Sequence, residues 1–258
     1  MKFSVVMPIY KDRDFLVYSL PTVFRLKPDE IVLLFDSTEE IEFTKRICRK
    51  FGFEDKTSFI DLTNISSRNW KCRVGFARRY GFQIATNDVI LNTDADTLLD
   101  PLIRKYVQKI GEGPDKYVLI GFERKERLTF REFVRRIYTK ISPLTRKAKV
   151  SAVYLFYRPA WLEAEDLEDL KKHPLLEDAH LQRALRNKGY KTLYVHSNCL
   201  HLRPLKDDPQ TNYSRGVVYA LEGAPLRRIM LRSFFQMRPA ILVGFLHTRR
   251  IKNKEEGV

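Results

Sequence analysis

Three near-continuous apolar runs, FSVVMPIY, EIVLLFDS and DVILNTD, fall within the first hundred residues, and each ends in polar chemistry. A strand buried on both faces needs such a run, whereas a half-exposed strand alternates apolar with polar side chains. Between the runs lie helical patterns: Asp14 to Leu26, interrupted at Pro21, and Glu39 to Phe51, stopped by Gly52. TSFIDL adds a short third strand, and a basic helix from Asn69 to Ala85 precedes DVILNTD. The β-α-β-α-β order predicts an α/β fold with a mostly parallel sheet and flanking helices. With 258 residues, 44% of them hydrophobic, the chain can bury one large core or two fused lobes.

In open sheets of this kind ligands collect at the carboxyl ends of the strands. Strand one ends at Pro8 and Tyr10 and strand two at Asp36. The strand within VILNTDADTLLDP ends at Asp94 and Asp96. A lone strand-end aspartate more often caps a turn. Three strand ends facing one crevice favour a ligand site instead. Two carboxylates spaced i, i+2 at a strand-to-loop junction can reach one ion. Oxygen ligands with open water positions suit Mg2+ or Mn2+, which one or two carboxylates hold together with substrate phosphates. The segment RNWKCRVGFARRYG brings Arg73, Arg78 and Arg79, either as counter-charge for a diphosphate or as a solvated helix face.

Charge narrows the partners without choosing one. Lys and Arg number 47 against 32 acids, a net +15, so anionic partners are favoured: phosphorylated metabolites, nucleic acid or acidic lipid. The three cysteines, Cys48, Cys72 and Cys199, form no CxxC pair and no disulfide framework, which points to a reducing compartment. MKFSVVMPIY is a poor signal peptide and a good first strand. The apolar stretch from Pro239 to Leu246 is too short to span a bilayer. A cytoplasmic protein is expected, with peripheral attachment to the cytoplasmic face of a membrane among the options.

VVMPIY, FDSTEE, FARRYGFQIAT and VILNTDADTLLDP together resemble the nucleotide-binding half of family 2 glycosyltransferases of the GT-A fold. Downstream, SAVYLFYRPAWLEA is similar to that family's acceptor-side strand and helix. LLEDAHLQRALRNKGYKTLYV is similar to its Glu-Asp helix, and CLHLRP to its late histidine segment. The resemblance covers residues 3–204. It implies a metal-dependent, inverting transfer of a sugar from a UDP- or GDP-sugar to an acceptor hydroxyl or lipid phosphate, on a glycan or lipid-linked acceptor. Carried over, Pro8, Tyr10 and Asp36 hold the nucleoside; Arg73 and Arg79 join the diphosphate side as counter-charge from the basic segment, not from the resemblance. Asp94 lies near ribose and metal, Asp96 is the main metal ligand, His201 contacts metal or diphosphate, and Asp178 is the general base. The implied organisation is a nucleotide-sugar half (1–97), an acceptor half of the same domain (98–215) and a basic amphipathic C-terminal segment (216–258).

The chemistry is coherent on physical grounds. A leaving diphosphate needs cation and arginine charge, and a carboxylate across the sugar must take the acceptor proton. The chain also departs from the pattern: FDSTEE lacks the paired acid and glycine usual after strand two, and ARRYG carries Arg79 where asparagine is usual. The residues around Glu177 and Asp178 lack the aromatic acceptor motif of processive synthases, so a single transfer is expected. Read alone, those two acids also suit the start of a helix, where they meet its dipole.

Two basic amphipathic stripes complete the picture. Leu226, Ile229, Met230, Phe234 and Met237 share a helical face beside Arg227, Arg228 and Arg232. Phe130, Phe133, Val134, Ile137, Tyr138 and Ile141 form a second stripe among cations. Such helices either lie on an anionic membrane or pack against the core with their charges solvated. Three other functions compete. A nucleotidyltransferase would favour a glycine-rich first loop, which MPIYKDRD lacks. A nucleic-acid-binding protein would show a recognition motif or stacking platform, and neither is found. An inactive glycosyltransferase-like protein would have no need to keep both DxD and Glu-Asp.

Overall fold

The computed structural model describes residues 1–63, 70–125, 152–164, 182, 184–203, 209–221, 223–235 and 238–255. The chain divides into two compact units, residues 1–125 with 149–203, and residues 126–148 with 204–258.

The first unit is built on one sheet whose described strands are β1 (Ser4–Ile9), β2 (Glu30–Phe35), β3 (Thr57–Asp61), β4 (Val89–Asn92), β5 (Thr97–Leu98), β6 (Leu119–Lys125), β7 (Val153–Tyr157) and β8 (Thr192–His201). They run in the order β3-β2-β1-β4-β7-β6-β8-β5. The first four are parallel, as expected. Beyond β4 the sheet is mixed: β4–β7, β6–β7 and β5–β8 are antiparallel, while β6–β8 is parallel.

Both faces of this sheet are covered. In β1, Met7 and Ile9 enter one core and Val6 the other. In β2, Leu33 and Phe35 oppose Val32 and Leu34. That two-sided burial is why these runs carry almost no polar residue. Each fully buried aliphatic or aromatic side chain contributes about 1.5–3 kcal/mol. Helices α1 (Arg13–Arg25) and α2 (Glu39–Lys50) close one face, and α3 (Trp70–Ile84) and α5 (Arg158–Ala164) the other. The short α4 (Ile103–Tyr106) follows β5. Trp161 packs edge-on against Phe82 and Phe156 in the second core.

Two details correct or explain the sequence pattern. Pro21 does not interrupt α1, which runs through it. The buried row Leu16, Leu20, Val23 and Phe24 holds the helix on the core and outweighs the one lost backbone bond. Gly81, in the ARRYG segment, is where α3 meets the sheet most closely. A Cβ there would lie 2.5 Å from Val6 Cγ1 and 2.8 Å from Leu34 Cδ1. Arg78 sits one turn earlier on the same helix, so this close seat also sets its position.

The second unit contains α6 (Pro209–Leu221), α7 (Leu226–Phe235) and α8 (Pro239–Glu255). Helices α6 and α8 meet backbone to backbone at Gly216 and Gly244, with Ile229, Ile241 and Phe245 as a small core. The expected single stripe on residues 226–237 divides here. Ile229 and Ser233 turn inward, while Met230 and Phe234 face solvent, Phe234 at 78% exposure. Five apolar residues spread over an arc too wide for one packed face, and the inward side settles on Ile229. Met237 and the stripe from Phe130 to Ile141 lie outside the described residues.

Candidate active site

The site forms at the carboxyl end of β4, in the first unit. There the amide of Thr93 donates to Val6 O at 3.2 Å, and a turn closes from Thr97 N to Asp94 O at 3.2 Å. Asp94 and Asp96 lie on either side of that turn and meet different surroundings.

Asp94 is clamped by two guanidiniums. Arg78 Nη2 reaches Oδ1 at 2.6 Å, and Arg124 Nη1 reaches Oδ2 at 2.8 Å. Arg124 is brought there by a register irregularity in β6 between Phe122 and Arg124, opposite β8, which re-aims the strand's end. Burial works against the charge on Asp94, but the fields of Arg78 and Arg124 prevail and hold its carboxyl below the usual range.

Asp96 is buried and differently engaged. Pairing of β5 with β8 sets Thr97 opposite His201, and Leu202 N donates to Asp96 O at 2.8 Å. Strand pairing thus brings His201 Nε2 to 3.1 Å from Asp96 Oδ2, across 105 residues of sequence. Arg203 Nε lies 3.2 Å from the same oxygen. The other oxygen, Asp96 Oδ1, is buried with no hydrogen-bond partner among the described residues. Leaving such an atom unsatisfied costs about 1–3 kcal/mol or more, which favours a ligand that would claim it.

The turn after β1 forms the opposite wall. Lys11 adopts a left-handed conformation with φ 54°. Its amide and that of Asp12 are both taken by the buried Glu40 carboxylate, at 3.1 and 2.8 Å. Asp12 Oδ2 accepts from Tyr10 N at 3.0 Å, and Asp12 Oδ1 from Arg203 Nη2. Burial raises the Asp12 carboxyl to about 6 in spite of these donors.

The expected residues therefore divide. Asp94, Asp96 and His201 converge as a cluster, though Asp94 gives both its oxygens to arginines. Pro8 and Tyr10 are half-buried at the end of β1, and Asp36 is half-buried at the end of β2, its amide 3.3 Å from Ile9 O. Arg79 is half-buried on α3, and its neighbour Arg78 is the one on Asp94. The side chain of Arg73 and all of Asp178 lie outside the described residues. Arg124, Arg203, Asp12 and Glu40 were not anticipated. Arg203 alone had a signal, its place two residues after the late histidine.

A divalent cation fits these donors in a limited way. Among the described residues no group of three or more His, Cys, Asp or Glu side chains is arranged around one point. Asp96 with its unclaimed oxygen and His201 beside it supply an incomplete set. Mg2+ and Mn2+ tolerate such a set when waters and substrate phosphates provide the rest.

The sheet, parallel through β4 and mixed beyond it, is that of the GT-A glycosyltransferase fold. A profile described as glycosyl transferase family 2 matches residues 4–164, and the chain belongs to that family. No curated protein sequence matches it. Among solved structures, the mannosyltransferase PcManGT of Pyrobaculum calidifontis, in complex with GDP-Man and Mn2+, is similar with a TM-score of 0.60 at 15% identity. That match covers 95% of this chain and 70% of the other. TarS 1-349 of S. aureus is similar at 0.54 and 16%, over 86% of this chain; this chain spans 65% of that one. Glucosyl-3-phosphoglycerate synthase of M. tuberculosis, with Mn2+, UDP-Glc and glycerol 3-phosphate, gives 0.52 and 17%, over 87% and 81%.

Proposed function

We propose that this protein is a metal-dependent, inverting glycosyltransferase that moves one sugar from a UDP- or GDP-sugar to a glycan or lipid-linked acceptor. The observation that carries the reading is the buried oxygen of Asp96, unclaimed among the described residues, beside His201 at a carboxyl strand end, where open α/β sheets collect their ligands. Asp96 and His201, with Asp94 beside them, would hold Mn2+ or Mg2+, which would supply positive charge for a departing diphosphate.

Every other part belongs to the chain. Pro8, Tyr10 and Asp36 line the nucleoside side, within the donor half of residues 1–97. Arg78 and Arg124 keep Asp94 ionised and fixed, so that it presents a rigid acceptor to the ribose. Arg73 and Arg79 add positive charge on the diphosphate side. Asp178 takes the proton of the acceptor hydroxyl from the face opposite the leaving group, which gives inversion.

Thermal shift tests the reading, with UDP-glucose and GDP-mannose, with and without Mn2+, on the wild type and Asp96→Ala. Metal-dependent stabilisation by one nucleotide, lost in the variant, supports it. Stabilisation by no nucleotide under any metal overturns it.

A nucleotidyltransferase is the second reading, because the inositol-1-phosphate CTP transferase of T. maritima shares the fold at a TM-score of 0.50 and 10% identity. The turn after β1 weighs against it. The amides of Lys11 and Asp12, which such an enzyme would turn toward a triphosphate, serve Glu40 instead. Pyrophosphate released from a nucleoside triphosphate and a sugar phosphate would favour that reading.

The partner surface we propose is an anionic membrane. Met230, Leu231, Phe234, Val243 and Leu246 are exposed on α7 and α8 beside exposed Arg227, Arg228, Arg249 and Arg250. Apolar residues flanked by arginines on a surface helix suit a lipid interface. No helix among the described residues is long and apolar enough to cross a membrane. Co-sedimentation with phosphatidylglycerol vesicles, weakened by salt and by Phe234→Glu, is the expected result. Equal binding to neutral vesicles, or none at low salt, removes the idea.

A further inference from the structure

Arg203 closes a ring of contacts between the two ends of the first unit. Its Nη2 donates to Asp12 Oδ1 and lies 3.4 Å from Lys11 O; its Nε stands 3.2 Å from Asp96 Oδ2. The guanidinium also sits over the Phe15 ring, 5.4 Å from its centroid. One cation thus serves two carboxylates, Asp12 by a hydrogen bond and Asp96 as an ion pair without hydrogen-bond geometry, and the second oxygen of Asp96 has no partner among the described residues. His201 shares the Asp96 oxygen with it.

We infer that Arg203 is a displaceable internal counter-ion: it competes with a divalent cation for Asp96 and turns to the nucleotide diphosphate when that cation binds. The inference rests on the reading that Asp96 holds the metal. A divalent ion placed at Asp96 would stand within a few ångströms of a fixed guanidinium. At an effective dielectric of about 20, that repulsion lowers affinity well over tenfold unless the arginine moves or an anion arrives. A diphosphate is such an anion. After Arg203 leaves Asp96, its contacts with Asp12 and Phe15 keep it at the site's edge, where a planar fork suits phosphate oxygens. Metal and nucleotide then strengthen each other's binding, and by linkage the effect is reciprocal.

A merely structural Arg203, a strut tying the end of β8 to the turn after β1, makes a different forecast. Its loss would lower thermal stability and leave metal affinity alone. The test is a Mn2+ titration of the full chain followed by the free-ion electron paramagnetic resonance signal, with no turnover involved. Wild type, Arg203→Gln, Arg203→Lys and Asp96→Asn are compared, without nucleotide and with saturating UDP or GDP. Arg203→Gln is expected to tighten Mn2+ binding about tenfold or more without nucleotide and to shrink the enhancement by nucleotide. Arg203→Lys keeps the charge and is expected to stay within about threefold of wild type. Unchanged or weaker Mn2+ binding in Arg203→Gln overturns the inference while leaving the metal reading intact. Equal Mn2+ binding by wild type and Asp96→Asn overturns the metal reading itself, and the inference with it. Should Arg203→Gln fail to fold, the wild type alone decides: Mn2+ affinity that does not rise with nucleotide removes the coupling.

Discussion

The surroundings of Asp94 and of Asp96 differ more than one intervening residue would suggest. Around Asp94, two arginines from α3 and β6 satisfy both carboxylate oxygens, so the charge is neutralised within the protein. Around Asp96, one oxygen is shared by a histidine and an arginine, and the other has no partner among the described residues. The first arrangement is finished without a ligand; the second is not. Two acids of one short turn thus stand in different states: Asp94 as a positioned anion, Asp96 with one oxygen unclaimed among the described residues.

The largest effect that would sharpen this contrast belongs to Asp96→Asn. Turnover should fall about a thousandfold or more, with loss of metal-dependent nucleotide binding and little change in urea stability. Product release assays paired with urea melts would check this, and a variant that merely unfolds would break the distinction. Asp94→Asn should do the reverse. It leaves Arg78 and Arg124 without their counter-charge, so stability should drop by about 2–3 kcal/mol in urea titrations. The sign in acid follows: the folded Asp94 carboxyl is lowered, so its contribution is present above the ordinary carboxylate value of 3.8 and is lost as pH falls through the lower folded value. The variant should therefore show a flatter acid limb.

A smaller effect is expected from Gly81→Ala. Its new methyl group meets Val6 and Leu34, lifts α3 and carries Arg78 away from Asp94, for a loss of about 2 kcal/mol. Mn2+ binding at Asp96 should persist, and its loss would show that the two surroundings are not separable. Asp12 gives the smallest effect. Burial raises its carboxyl to about 6, so the folded state holds a proton more tightly than the unfolded chain does. Stability from this group is complete below about pH 4 and declines as pH rises toward 6. Asp12→Asn should flatten that decline, about 1 kcal/mol after allowing for partial solvent screening, as thermal melts across this window would show.

Much of the first unit was legible because its rules are local. Runs buried on two faces predicted β1, β2 and β4, and helix α1 falls within one residue of the pattern read from Asp14 to Leu26. The late histidine was legible as a segment, and β5–β8 pairing explains its approach to Asp96. Arg124 was not legible, since its role depends on an irregular strand register that no spacing encodes. Glu40 looked like an ordinary acid in the first turn of a helix, yet it fixes two amides of a turn 28 and 29 residues away. Arg203 was hidden because its partners, Asp12 and Asp96, belong to other strands' ends. The C-terminal stripe left two readings open for a simpler reason: a wide apolar arc does not say which of its edges will face inward.

The pairing of β5 with β8 has a consequence for the order of events in the life of the chain. Asp96 is synthesised 105 residues before His201, and Arg203 comes two residues later still. A nascent polypeptide can assemble the β1–β4 layers while the last strand is still unmade, because folding proceeds from the amino terminus as synthesis advances at about 5–20 residues per second. For several seconds at that pace, Asp96 lacks both of the side chains that share its Oδ2. The surroundings of Asp96 are thus completed only by β8 and the residues just after it, and a half-made chain can present the β1–β4 layers without them.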